Sequence, residues 1–189
     1  IHAHNDSGMA TSASIEAVLA GCTQIQGTFL GYGERCGNAN LSTIIANLEL
    51  KKNICCLPSG NLEKLSSTAK FIAEVSNFQM AKGMPYVGDS AFAHKAGMHI
   101  DGVYKNPKSF EHIEPDKVGN ERRFLISEVA GKSTVIAKIN KIYPDIKKND
   151  PAIDVIINRV KALEYMGYAF EGADASFELL VHKALKNFN

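Results

Sequence analysis

The chain has 189 residues, 45% hydrophobic and 22% charged, enough for one good core and a second small one. Its 21 Lys and Arg against 20 Asp and Glu give a net charge of +1, which offers no electrostatic footprint for nucleic acid or an anionic membrane. Four cysteines (Cys22, Cys36, Cys55, Cys56) form no C-x-x-C pair, and no signal-peptide or membrane-spanning run is present. Disulfides are therefore not expected, and a reducing cytoplasm is the expected location.

The first residue is Ile and opens directly on Ile1-His2-Ala3-His4-Asn5-Asp6-Ser7-Gly8. From this we expect an internal segment of a longer protein. Residues 1–4 are predicted as the end of a short strand. Side chains on a strand alternate faces, so His2 and His4 share one. Two imidazoles at a strand end can bind one divalent metal; otherwise they are ordinary histidines beside a turn. A helix is expected from Met9 to Ala20, with Ala10, Ala13, Ala17, Val18 and Ala20 as a small-residue face packed on a sheet, and Gly21 as its C-terminal stop. Residues 22–29 are predicted as a second strand, which makes a βαβ unit with parallel strands.

Residues 31–40, Gly-Tyr-Gly-Glu-Arg-Cys-Gly-Asn-Ala-Asn, are too rich in glycine and asparagine for a helix. They are expected as a loop at the C-terminal end of a strand, where α/β proteins place their chemistry. Glu34, Arg35, Asn38 and Asn40 are its functional groups. Asn40 is placed to cap a helix over residues 41–52. The adjacent Cys55 and Cys56 are expected to pack in the core. A helix over residues 62–78 is followed by a connector at 81–89, where Gly83, Pro85 and Gly88 mark a domain boundary. The next polar cluster, Ser90 to Gly102, crowds His94, Lys95, His99 and Asp101 together. It reads either as His99 oriented by Asp101 for acid–base work, or as a capped helix end with surface histidines. Residues 122–129 are predicted as a strand. Helices are expected over 131–143, 151–166 (with Ile153, Ile156, Ile157, Val160 and Leu163 as the buried stripe) and 173–185.

Several of these segments together carry a resemblance. His2-Ala-His-Asn-Asp, the Gly31 to Asn40 loop, Ser90-Ala-Phe-Ala-His-Lys-Ala-Gly-Met-His-Ile-Asp-Gly, Gly119-Asn-Glu-Arg-Arg and Ser127-Glu-Val-Ala-Gly-Lys-Ser, in that order, resemble the isopropylmalate synthase and homocitrate synthase family. The tail from Gly167 to Val181 resembles its citramalate-forming branch. The resemblance covers essentially the whole chain.

That resemblance implies an α/β, helix-rich fold: the last βα units of a (β/α)8 barrel (residues 1–84), a lid and linker subdomain (85–130) and a helical linker subdomain (131–189). It implies a Claisen condensation of acetyl-CoA with a 2-oxo acid, pyruvate to citramalate, with isopropylmalate or homocitrate synthesis as the alternatives. The implied cofactor is a divalent ion (Zn, Mn or Mg). His2 and His4 match its ligands, and Asn38 matches an asparagine at or beside it. Glu34 and Arg35 match a pair at the floor of the catalytic site. His99 matches a lid histidine that assists proton transfer in the partner subunit's site, with Asn106 and Asp101 as substrate-side lid residues.

Two departures stand out. Relatives usually carry Tyr where Phe110 stands, and a phenyl ring cannot donate the hydrogen bond of a phenol, so Tyr104 is the candidate replacement. The family's aspartate ligand belongs to the first barrel strand, which this chain does not carry. The chain alone is therefore expected to be inactive, and to form a homodimer or higher oligomer because two parallel strands leave unpaired edges. An amidohydrolase-type reading would need further histidines at strand ends, and His94, His99, His112 and His182 are not so spaced. A non-catalytic dimerisation and lid module is the remaining alternative.

Overall fold

The computed structural model describes residues 1–95, 97–125, 132–147, 149–170 and 172–186. They fall into two compact units, Ile1–Phe92 with Ile113–Glu121, and Ala93–His112 with Arg122–Asn189.

The first unit contains α1 (Ala10–Leu19), α2 (Leu41–Lys51) and α3 (Leu65–Val75). Gly21 ends α1 at φ +106°, with its N–H donating to Val18 O at 3.0 Å and the next N–H, of Cys22, to Ala17 O at 2.9 Å. This is the paired closure that a left-handed residue after a helix permits. The buried face of α1 is Ala10, Ser14 and Ile15, while Ala13 and Ala20 are exposed. That face packs with Ala39, Ile44 and Leu48, so the partner of α1 is α2 and its entry rather than a broad sheet. Asn40 caps α2 as expected, its side chain accepting from Ser42 N at 3.0 Å.

The strand expected over 22–29 does not form. Only single bridges are present: His2 to Gln26 and Thr28 to Asn40, both parallel, and His4 to Asn38, antiparallel. A ladder must propagate to gain stability, and Leu30 turns the chain at φ +61° just after Thr28, inside the 3-10 turn Phe29–Gly31. The helix expected over 62–78 is shorter too. A 3-10 turn at Leu62–Lys64 leads into α3, which stops at Val75 because Asn77 takes φ +50°. The Phe78 N–H then closes on Ala73 O at 2.8 Å.

The core of this unit gathers Leu30, Ala46, Leu65, Ala69, Ala73, Tyr86, Val87, Phe92 and Val118. The returning segment is pinned by Ser66 Oγ donating to Val118 O at 2.6 Å, and by Asn120 Nδ2 donating to Tyr86 O and Gly88 O at 2.9 and 3.0 Å. Cys55 and Cys56 are exposed, contrary to expectation. The backbone is what is anchored there, with the N–H groups of Cys56 and Leu57 donating to Glu49 Oε1.

In the second unit, β1 (Ala93–His94) pairs in parallel with β2 (Arg123–Phe124), Ala93 opposite Arg123 and His94 opposite Phe124. The strand expected over 122–129 is thus two residues long where it is described, and residues 126–129 lie outside the described residues. Between the two strands runs α4 (Gly97–Lys105), whose Ile100 and Val103 pack with Phe124 and Ala137. Helices α5 (Lys132–Ile142), α6 (Pro151–Tyr165) and α7 (Asp174–Lys186) form a bundle around Val135, Ile139, Ile153, Ile156, Val160, Phe170, Phe177 and Val181. Pro151 opens α6, and Asp150 caps it by accepting from Ala152 N at 2.9 Å. Among the described residues no helix is long and apolar enough to cross a membrane.

Candidate active site

The singly bridged backbone of the first unit brings the His-x-His stretch beside the glycine-rich loop. Gln26 N donates to Ile1 O, Ala39 N to Ala3 O and Asn5 N to Gly37 O, at 2.8 to 3.0 Å. The loop can fold back on itself here because Gly37 adopts φ +86° with no Cβ, and a Cβ there would collide with the Gly31 carbonyl oxygen. His2 and His4 are both exposed, their ring centroids 5.1 Å apart and their planes nearly perpendicular at 88°. The backbone of His4 pairs with Asn38. The Asn38 Nδ2 donates to Tyr32 O at 2.9 Å, which leaves Oδ1 buried without a hydrogen-bond partner. Buried carbonyl oxygens rarely go unused.

Two exposed imidazoles and an orphaned carboxamide oxygen on bridged neighbouring segments are the nitrogen and neutral oxygen donor types that divalent ions accept. Among the described residues no three His, Cys, Asp or Glu side chains come together as a complete ligand set. Further oxygen donors would have to come from elsewhere.

Glu34 is exposed, and Arg35 sits at φ +55°, which turns its guanidinium back onto Asp6. Arg35 Nε donates to Asp6 Oδ1 at 2.7 Å and Nη2 to Oδ2 at 3.1 Å, a bidentate pair joining the loop to the turn after His4. Glu34 lies 3.6 Å from Arg35 Nη1. The hydrogen bond from Arg35 holds the Asp6 carboxyl below its ordinary value of 3.8 and raises Arg35 in turn. A carboxyl lowered by folding contributes stability that is fully present above its unfolded pKa and is lost as pH falls through the lower folded value. A carbon-13 titration of Asp6 should therefore have its midpoint below 3.8, and Arg35→Gln should bring it back up. A midpoint indifferent to Arg35→Gln would mean that the pair does not form in solution.

In the second unit His99 lies exposed on α4, with the Phe110 ring against it, centroids 4.4 Å apart and tilted by 30°. Asp101 does not orient it. Residues two apart on a helix do not face each other, and Asp101 accepts from Lys105 one turn on at 2.6 Å. Asn106 caps the 3-10 turn Pro107–Ser109, accepting from Lys108 N at 3.2 Å. Tyr104 does not take the place of Phe110. Its ring stacks on Phe124 instead, at 5.3 Å and 18°, and burial pushes its phenol up.

Sequence reasoning missed two partnerships. Asp6 pairs with Arg35 across 29 residues, a separation that no local pattern announces. Glu111 is buried among His94 and Arg122, at separations of 17 and 11 residues, with no local pattern to announce it. Burial pushes the Glu111 carboxyl up, but hydrogen bonds from Arg122 and His94 outweigh it and leave the pKa below its ordinary value.

Comparison with known proteins gives these segments a context. Residues 1–72 match the HMGL-like family, and residues 86–167 match the homocitrate synthase post-HMGL domain-like family. The chain is 48% identical over 183 residues to an (R)-citramalate synthase of Aquifex aeolicus, covering 97% of this chain and 35% of that protein. It is 50% identical over 185 residues to the (R)-citramalate synthase of Synechocystis, covering 98% and 34% respectively. A 2-isopropylmalate synthase of Sulfurisphaera tokodaii is 36% identical over 169 residues, 88% of this chain and 42% of that protein. The chain thus spans about a third of the length of the citramalate synthases it matches. Its first 72 residues thus carry the HMGL-like family's sequence and residues 86–167 that of the homocitrate synthase post-HMGL domain-like family, in the order in which relatives named (R)-citramalate synthase and 2-isopropylmalate synthase align with them.

Proposed function

We propose that the complete protein condenses acetyl-CoA with pyruvate, hydrolysing the thioester to release citramalate and CoA. The observation that carries this reading is the near-full coverage of the chain by proteins named (R)-citramalate synthase. On this reading residues 1–84 are the last βα units of a (β/α)8 barrel. Residues 85–130 and 131–189 are linker subdomains of a cytoplasmic homodimer.

His2, His4 and the free Oδ1 of Asn38 would hold a divalent ion, completed by donors from the rest of the barrel. The chemistry such an ion supplies when bound is Lewis-acid polarisation of the oxo group. Asp6 holds Arg35 at the loop, so that the guanidinium and Glu34 shape the floor of the site. His99, with a ring free of hydrogen-bond partners among the described residues, moves the proton at the acetyl methyl or the nascent alkoxide in the partner's site. Asn106 and Asp101 line the substrate side of that lid. Phe110 cannot donate a hydrogen bond, so the lid's polar work falls to His99 and Asn106.

The test is to assay the complete protein with acetyl-CoA against pyruvate, a branched 2-oxo acid and a dicarboxylic 2-oxo acid, reading thiol release and product mass. Pyruvate should be the preferred partner, citramalate the product, and a chelator should remove the activity. The 189-residue chain should be silent. Preference for the branched acid would move the reading to 2-isopropylmalate synthesis, the activity named for the 36% identical relative. Turnover by the chain alone would overturn its proposed dependence on the rest of the barrel.

A further inference from the structure

One cluster outside the residues already given roles is both charged and buried. Glu111 is 7% and His94 8% exposed. Arg122 reaches both carboxylate oxygens through Nε and Nη2, each at 2.6 Å, and His94 Nε2 lies 3.0 Å from Oε1. A single carboxylate thus joins β1, the turn that follows α4, and the entry to β2. Apolar residues of the same volume would often be as stable in such a place, so the cluster's distinct contribution is geometric. What it aims is the neighbouring residue, Phe110.

Phe110 is 44% exposed, so burial alone holds its ring weakly. Its ring nevertheless lies across α4, against His99 and over Gly102. His99 and Gly102 are three apart and share a helix face. A Cβ at 102 would collide with the Phe110 ring at Cε2, so only glycine leaves the gap the ring occupies. Among the described residues no hydrogen bond orients the His99 ring. Phe110 is its aromatic partner.

We propose that Glu111 is a positioning residue for His99: clamped by Arg122 and His94, it sets Phe110 across the Gly102 gap and fixes the plane and the edge that the His99 imidazole presents. The geometry stands by itself; only its bearing on catalysis rests on the function proposed for His99.

The test has two arms. In the 189-residue chain, the His99 ring protons should show the upfield shift that a stacked phenyl ring induces, and Phe110→Ala should abolish it. Glu111→Gln, which keeps the shape and removes the charge, should lose most of that shift. Gly102→Ala should lose it without touching the clamp, and it decides the matter if Glu111→Gln fails to fold. In the complete protein, both variants should lower kcat by about tenfold to a hundredfold, as misplaced catalytic groups do, with KM for both substrates within about twofold. His99 resonances unmoved by Glu111→Gln and by Gly102→Ala, but moved by Phe110→Ala, would overturn the proposal. Moved resonances with unchanged kcat would uphold the clamp and remove His99 from the chemistry. A wild-type protein that releases no CoA would defeat the proposed function and leave the first arm to judge the clamp.

Discussion

Replacing Phe177 by alanine is expected to destabilise the α5–α7 bundle by about 3–5 kcal/mol, the range found when a buried aromatic ring is removed from a core. Phe177 is fully buried on α7, in one cluster with Ile139 of α5 and with Ile153, Ile156 and Val160 of α6. Lys138 Nζ lies 5.2 Å from the ring centre, and the same ammonium pairs with Asp174. The substitution therefore opens a cavity at the meeting point of three helices and strips a buried lysine of its aromatic neighbour. Urea denaturation gives the magnitude, and amide exchange locates it: protection should fall across α5–α7 and hold in α1–α3. Leu179→Ala on the same helix is the control. Leu179 is 62% exposed, so its loss should stay within about 0.5 kcal/mol. Equal losses from the two would remove Phe177 from the centre of the core.

His4→Ala in the complete protein is expected to lower turnover by on the order of a thousandfold. A Lewis acid stabilises the transition state by several kcal/mol, and each 1.36 kcal/mol is a factor of ten. The fold should survive. His4 joins its surroundings through a backbone bridge to Asn38, which alanine keeps, and its imidazole is exposed. Metal content by mass spectrometry should fall together with kcat, while the thermal transition stays in place. Activity within threefold of wild type, with metal content unchanged, would take His4 out of the ligand set.

How far the sequence spoke depended on the range of each interaction. Asn40, Gly21 and Pro151 act on the chain within a few residues, and their caps and stops were legible. Strand formation over 22–29 depends on neighbours the sequence pattern does not name, and there the β-branched composition misled. At α3 the apolar pattern continues through Phe78, past the stop that Asn77 imposes. The site shows the same division. The His-x-His and the glycine-rich loop were recognisable as segments, whereas Asp6 with Arg35, and Glu111 with His94 and Arg122, are matched only by folding. The pairing of His99 with Asp101 is instructive. On a strand the two would share a face, on a helix they diverge, and α4 is a helix.

The route of the chain also sets the order in which the protein can be completed on the ribosome. The first unit is discontinuous: after Phe92 the chain departs, and it returns only at Ile113. Val118 belongs to the core that Leu65, Ala69 and Phe92 begin, and Ser66 waits for its carbonyl. Until residue 120 has emerged, the carbonyls of Tyr86 and Gly88 also lack the amide that secures them. A nascent chain ending anywhere between 92 and 117 therefore holds a hydrophobic surface with no lid of its own, a natural point for a chaperone to engage. It follows that the family boundaries in sequence, at 72 and 86, are not the boundaries of what can fold first. A chain that has just completed this core carries α4 as a loop held at both ends, at Phe92 and Ile113, before Phe124 and Ala137 arrive to pack with Ile100 and Val103.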